Sequence, residues 1–153
     1  MAQVILISIY PEHAANIISG KKQFEYRKTI PAKKISHLVL YCTEPVKKII
    51  AVAEILDCFN GAPSRIWDLT SHGSGITRST YRDYFKGCRK ANAFSLGSIY
   101  EMKRPIGLDE VLGQRNPPQS FYYLDEDEVK MIFKERKIQP VVLRSQNIEV
   151  KDK

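Results

Sequence analysis

Lys22, Glu25 and Arg27 fall within six residues, in the stretch Gly20-Lys21-Lys22-Gln23-Phe24-Glu25-Tyr26-Arg27. The three side chains offer complementary chemistry. Arg27 presents a planar fork that grips a carbonyl, phosphate or carboxylate at two points. Glu25 accepts from an exocyclic amine or a ring N–H, and a shifted carboxylate or ammonium moves protons. Lys22 carries a mobile positive charge suited to phosphate. Phe24 and Tyr26 alternate with Glu25 and Arg27, so a strand here sends the aromatics to one face and the charged pair to the other. A plainer reading stands beside this one. Lys21 and Lys22 would complement a helix C-terminus capped by Gly20, and Glu25 and Arg27 would form an ordinary solvated face.

Other residues could complete such a site. Tyr41, Trp67 and Phe121 could stack on a base, although Tyr41 at a strand end and Trp67 beside Ile66 and Leu69 equally suit a core. Ser120 is a pocket hydroxyl or an ordinary turn hydroxyl. Lys33, Lys34, Lys47, Lys48, Arg89 and Lys90 sit in turns or near strand ends; converging, they would make a phosphate-contacting rim. His13, His37 and His72 are isolated, without the paired spacing of a metal site. The carboxylate run Asp125-Glu126-Asp127-Glu128 suits a helix start and needs no ion. No metal and no cofactor is expected.

The elements that must hold these residues are legible in the pattern. Val4 to Tyr10 is a β-branched run, read as a buried strand. Pro11 opens a helix that Gly20 stops. Phe24 to Thr29 is the strand bearing the charged pair, followed by a basic turn. Leu38 to Thr43 and Ile49 to Phe59 are strands joined as an antiparallel hairpin through Pro45. Pro63 starts a short helix, Ser71 to Gly75 reads as a flexible loop, and Thr77 caps a helix running through Phe85. Ala91 to Met102 is a strand that Arg104-Pro105-Ile106 exits, and Leu108 to Leu112 makes a helical turn. Asp125 to Lys137 is a surface helix, Pro140 to Leu143 an added strand, and Gln146 to Lys153 a frayed tail. Strand and helix do not alternate regularly, so a doubly wound sheet is not expected. The order suggests an α+β fold with a small curved or closed sheet and helices at its edges.

The whole chain has 153 residues, room for one domain with a real core. Its 24 Lys and Arg against 17 Asp and Glu leave a formal charge of +7, which favours polyanionic partners such as RNA, DNA or nucleotides. Cys42, Cys58 and Cys88 are scattered, against a disulfide framework or a zinc site. No apolar window approaches a membrane span, so a cytoplasmic protein without membrane partners is expected.

Gly20-x-Lys22-x-x-Glu25-x-Arg27 resembles the G-x-K-x-x-E-x-R signature of the ASCH domain family, in the PUA-like superfamily. The similarity extends over about residues 3–125. It takes in Pro11 before the helix, Tyr41, Pro45-Val46-Lys47-Lys48-Ile49, the Trp67 helix, Tyr84-Phe85-Lys86-Gly87 and Pro117-Pro118-Gln119-Ser120-Phe121. It implies a small, curved PUA-like β-barrel, an ASCH domain over residues 1–137 with a C-terminal extension over 138–153. A cleft beside the first helix would gather Lys22, Glu25 and Arg27, with Tyr41 and Ser120 completing the ligand site. It also implies binding of RNA or of a modified nucleoside or nucleotide, and a role for such domains as regulators of transcription or translation. Some relatives are enzymes. One branch resembles amidohydrolases acting on a modified cytidine through a Lys, a Thr and a Glu; another is described as ribonucleases. Here Lys22 matches the lysine, Glu25 replaces the threonine, and Ser71 to Gly75 holds no acid, so that triad does not carry over. Lys22 and Glu25 remain the candidate catalytic residues of a hydrolase. A third possibility is a basic cleft for an acidic peptide, with Phe121-Tyr122-Tyr123 as its apolar part. Oligomeric state is left open.

Overall fold

The computed structural model describes residues 2–141. A mixed six-stranded sheet forms its centre, ordered β2-β5-β4-β3-β1-β6. β1 (Gln3–Ile9) runs parallel to β3 (Ile35–Cys42), with α1 (Pro11–Ile18) and β2 (Phe24–Arg27) between them in sequence. β3 pairs antiparallel with β4 (Lys48–Gly61), β4 with β5 (Ala91–Ile106), and β5 with β2. β6 (Tyr122–Tyr123) closes the far side against β1.

The residues explain the layering. β1 and β3 are apolar on both faces because both faces are covered. Ile5, Ile7, Ile9, Leu38 and Leu40 pack with Ala14 and Ile17 of α1. Leu6, Val39 and Tyr41 face the other way, onto α4 (Leu108–Leu112) and α5 (Glu126–Phe133). Ile17 is wholly buried and anchors α1, so truncating it to Ala would cost about 2–5 kcal/mol and loosen everything α1 positions. A third cluster forms where α2 (Pro63–Thr70) and α3 (Arg78–Phe85), inserted between β4 and β5, fold over β2. There Phe24 and Tyr26 meet Ile66, Tyr81 and Phe85.

Three sequence expectations change. The sheet does not close into a barrel: β2 and β6 lie at opposite edges and are not paired with one another. Ser71–Gly73 is a turn of 3-10 helix, with Gly73 and Ser74 buried, rather than a flexible loop. It is fixed because Gln23 N–H donates to the Gly73 carbonyl at 2.7 Å. Pro105 does not end its strand; β5 runs on to Ile106. The helix cap at Thr77 is present, its hydroxyl accepting from Thr80 N–H at 3.1 Å. Of the added strand read over 140–143, only its first half is described, with Val141 N–H donating to the Ile99 carbonyl at 2.8 Å. The tail from Gln146 lies outside the described residues.

Candidate nucleotide-binding site

The end of α1 sets the site. Gly20 adopts φ 88°, a left-handed turn that a side chain resists, and Lys22 N–H returns to the Asn16 carbonyl at 2.9 Å. This turns Lys22 inward. It is 3% exposed, the opposite of the solvated helix-end lysine that the plainer reading required. Gly75 makes room for it. A Cβ there would lie 2.5 Å from Lys22 Cβ, and the residue has φ +68°. Lys22 Nζ donates to the Ser74 carbonyl at 3.2 Å and sits 4.8 Å from the Tyr26 ring centroid. Burial pulls its ammonium below the usual lysine range; Glu25 opposes this and Arg27 adds to it.

β2 carries the rest. Period-two geometry places Phe24 and Tyr26 in the cluster under α2 and α3 and turns Glu25 and Arg27 together. Arg27 Nε donates to Glu25 Oε2 at 3.0 Å, and its outer nitrogen donates to the Ser8 carbonyl at 2.8 Å. Asn92 Nδ2 donates to the Arg27 and Lys28 carbonyls, fixing the end of the strand. Tyr26 is held from behind: its hydroxyl and that of Thr70 share a 2.7 Å hydrogen bond, and burial raises its phenol to about 12.

Lys22, Glu25, Tyr26 and Arg27 line one hollow of about 360 Å³, open to solvent. Ligand pockets run from about 300 to 1,000 Å³, so this one suits a single nucleotide better than a larger ligand. Two cations against one carboxylate leave it a net charge of +1 at these three side chains. Among the described residues lining it, Glu25 is the one carboxylate.

The hollow also recruits residues that local sequence did not mark. His13 lines it from α1, and its Nδ1 is buried and has no hydrogen-bond partner among the described residues. Such an orphan costs about 1–3 kcal/mol unless a ligand or water satisfies it. Burial, then Lys22, hold its imidazole below the usual histidine range, so it stays neutral near pH 7. Thr80 and Tyr84 of α3 form the opposite wall, with Lys28 Nζ 4.9 Å from the Tyr84 ring centroid. Gln119 joins from the segment before β6, tethered by the Ser8 hydroxyl donating to the Pro118 carbonyl at 2.8 Å. Helical spacing could have placed His13 beside Ile17 on one face of α1, but nothing nearby in sequence says what lies opposite. Thr80 and Tyr84 come from the insertion, whose Thr77-capped helix the sequence marks without saying which wall it forms.

Several expected partners lie elsewhere. Tyr41 is buried in the cluster beneath α4 and α5 and does not line the hollow. Ser120 is exposed, and its hydroxyl shares a 3.2 Å hydrogen bond with that of Thr29 outside the lining. Trp67 faces a second hollow beyond α3, and Phe121 packs at the edge of the α1 core. Lys33, Lys34, Lys47, Lys48, Arg89 and Lys90 do not line the hollow; Lys33 instead covers the Tyr123 ring. Among the described residues no group of three or more His, Cys, Asp or Glu side chains is placed to hold a metal. No described helix is long and apolar enough to cross a membrane.

No protein-family model matches the chain. A curated relative does. The ASCH domain-containing ribonuclease of Zymomonas mobilis is 36% identical over 131 residues, which is 83% of this chain and 88% of the relative. The chain belongs to the ASCH domain family. A crystal structure of ASCH from Zymomonas mobilis superposes on this ASCH domain with a TM-score of 0.81 at 33% identity, over 88% of this chain and 96% of that one. The large ribosomal subunit protein uL22 of Ureaplasma parvum is 30% identical over 123 residues, 80% of this chain but 39% of that longer protein. Within the ASCH domain, the signature residues Lys22, Glu25 and Arg27 are the ones the fold brings together.

Proposed function

We propose that this ASCH domain binds single-stranded RNA and seats one nucleotide in the hollow beside α1. The observation that carries the reading is the convergence of Lys22, Glu25 and Arg27 with the Tyr26 face in one open, net-positive concavity. Arg27 and Lys22 meet the phosphate, Glu25 accepts from a base N–H, and Tyr84 gives an aromatic wall. Neutral His13 Nδ1 gains from the ligand the partner it lacks. The role is that of a regulator of transcription or translation acting in the cytoplasm. Register shifts at Ile49/Ala51, Ala53/Ile55 and Ile55/Asp57 support a PUA-like bend of the open sheet, since bulges increase local twist. Residues 138–153 form an extension to the domain of 1–137.

The test is titration of a labelled RNA oligonucleotide. Arg27→Ala should lower affinity about tenfold to a hundredfold, the worth of a charge-assisted hydrogen bond, while a thermal melt confirms the fold. Affinity unchanged by Arg27→Ala, or matched by an unrelated protein of equal charge, removes the reading.

A second reading is favoured by the Zymomonas relative, whose name is that of a ribonuclease. In this reading Glu25 takes the proton from a ribose 2′-hydroxyl as its oxygen bonds to the neighbouring phosphorus; the P–O5′ bond breaks, leaving a 2′,3′-cyclic phosphate, the departing 5′-oxygen takes a proton from the Lys22 ammonium, and Arg27 offsets the charge that develops on the phosphate. Shortened RNA products that vanish in Glu25→Gln establish it. The amidohydrolase arrangement has no support: the segment over Lys22 supplies the Ser74 carbonyl rather than a carboxylate.

A further inference from the structure

α3 separates two hollows, and only one has been given a ligand. Thr80 and Tyr84 look into the first; Arg78, Tyr81, Arg82, Phe85 and Lys86 line the second, of about 290 Å³, with Trp67 across from them. Arg78, Arg82 and Lys86 are spaced by four residues, so they form one row along the helix. All three are exposed, and among the described residues none makes an ion pair. The floor beneath them is an aromatic stack whose accessible ring is Trp67, with Tyr81 and Phe85 buried behind it: Trp67 and Tyr81 ring centroids are 4.8 Å apart, as are those of Tyr81 and Phe85. Tyr81 is fixed by its hydroxyl donating to the Pro63 carbonyl at 2.7 Å, and Trp67 is only half-buried.

Unpaired cations in a row repel one another, and a protein gains nothing from them in isolation. A polyanion running along the row converts that repulsion into binding through counterion release. An aromatic floor beside a row of cations is the arrangement that holds single strands without reading sequence. An α-helix is about 10–12 Å across with its side chains, so a short run of nucleotides bridges the two hollows over α3. The connecting path is furnished by Tyr84, exposed between them, with Lys28 against its ring.

We propose that the Arg78–Arg82–Lys86 groove is a second nucleic-acid site, taking the backbone of the RNA strand whose one nucleotide occupies the first hollow. The proposal rests on RNA binding at that hollow and extends it from one nucleotide to a strand crossing α3. It is tested by fluorescence titration of the full chain with a single labelled nucleotide and with a labelled single-stranded octamer, over a range of salt. The probe protein is the triple variant Arg78→Gln, Arg82→Gln, Lys86→Gln. Its control is Lys103→Gln, Lys130→Gln, Lys134→Gln, which removes equal charge from the α5 side. The groove variant should lose at least tenfold in octamer affinity, keep single-nucleotide affinity, and reduce the salt slope by about 2, three contacts at about 0.7 each. Octamer binding equal to that of the control variant overturns the groove. Arg27→Ala reads the first hollow separately. If it abolishes octamer binding while the groove variant keeps it, the groove fails and the nucleotide site stands. If Arg27→Ala leaves both probes bound as in the wild type, the first-hollow reading falls, and the strand path built on it falls too.

Discussion

Two arginine–glutamate pairs in this molecule have nearly the same contact distance and opposite surroundings. Arg27 Nε lies 3.0 Å from Glu25, with side chains 16% and 8% exposed; Arg104 lies 2.9 Å from Glu110, with side chains 56% and 40% exposed. The exposed pair has a local job. Glu110 also accepts from Gly107 N–H at 2.9 Å and so starts α4. The hydrogen bond from Arg104 holds its carboxyl below the ordinary range. The buried pair caps nothing. Taking two charges out of water is unfavourable unless hydrogen bonds answer them, and a third charge, Lys22, lies in the same hollow. Contact distance is therefore no guide to what a pair is for. Three charges gathered in one hollow, two of them in a buried ion pair, support the ligand site proposed there.

The sharpest way to break this contrast is to remove one acid from each pair. Glu25→Ala leaves Arg27 buried without its ion-pair partner and should cost about 3–5 kcal/mol in urea unfolding. Glu110→Ala should cost only about 1 kcal/mol, the loss of its cap on α4, because water replaces Arg104 as partner. Equal losses would mean that burial does not distinguish the pairs.

Two glycines extend the comparison. Gly75 over Lys22 has φ +68°, and Gly113 after α4 has φ +66°. Alanine at either pays the left-handed conformation, about 1–2 kcal/mol. At Gly113 the new methyl meets nothing within 4 Å, whereas at Gly75 it would lie 2.5 Å from Lys22 Cβ and 2.7 Å from Lys22 Cα. Gly75→Ala should thus cost a further 1–3 kcal/mol or so, the usual range for overpacking. It should also weaken RNA binding by shifting Lys22, which Gly113→Ala should not. A smaller contrast comes from two tyrosine hydroxyls, each in a 2.7 Å hydrogen bond: Tyr26 with buried Thr70, and Tyr122 with the exposed Asn116 carbonyl. Tyr26→Phe should cost about 1 kcal/mol in thermal unfolding and Tyr122→Phe less, since water can replace the second bond and not the first.

What the sequence disclosed follows the same division. Elements with their own period were legible: the β-branched run of β1, Pro11 and Gly20 around α1, the alternation in β2, the Thr77 cap. Glu25 and Arg27 were legible as a pair because both lie on β2, where strand geometry alone puts them on one face; Lys22 stands just ahead of that strand, and its inward turn depends on the end of α1. Tyr41 was not placed correctly because β3 is buried on both faces, and an apolar run does not say which side holds α1 and which holds α4. Ser71 to Gly75 has the composition of a mobile loop. It is ordered by long-range bonds from Gln23 and Lys22 that no local pattern encodes. The wall made by Thr80 and Tyr84 depends on how the insertion folds back over β2, a tertiary fact. Closure into a barrel is a tertiary fact that the run of short strands does not fix, and here the edge strands β2 and β6 are not paired with one another.

The least perturbing probe of the buried region is the proton. His13 has a lowered pKa in the fold, against 6.5 for the ordinary side chain, with burial the largest cause and Lys22 the next. As pH falls through about 6.5 the unfolded chain takes up a proton that the folded chain refuses, so the unfolded state binds more protons and stability drops. The drop ends once pH passes below the folded value. His37 is lowered too, mainly by burial, and contributes in the same direction. His13→Gln should therefore shrink, not abolish, the loss of stability as pH falls below about 6.5, and adding His37→Gln should shrink it further. Ligand changes the sign for one of them only. A phosphate in the hollow favours protonated His13, so the RNA complex should take up a proton on forming and tighten as pH falls from 7 toward 6, an effect visible as a buffer-dependent heat in calorimetry. His37 lies away from the hollow, against Phe133, and cannot supply that uptake. Proton uptake that survives His13→Gln would move the titrating group from His13 to another member of the hollow, Lys22 first, whose ammonium burial also lowers.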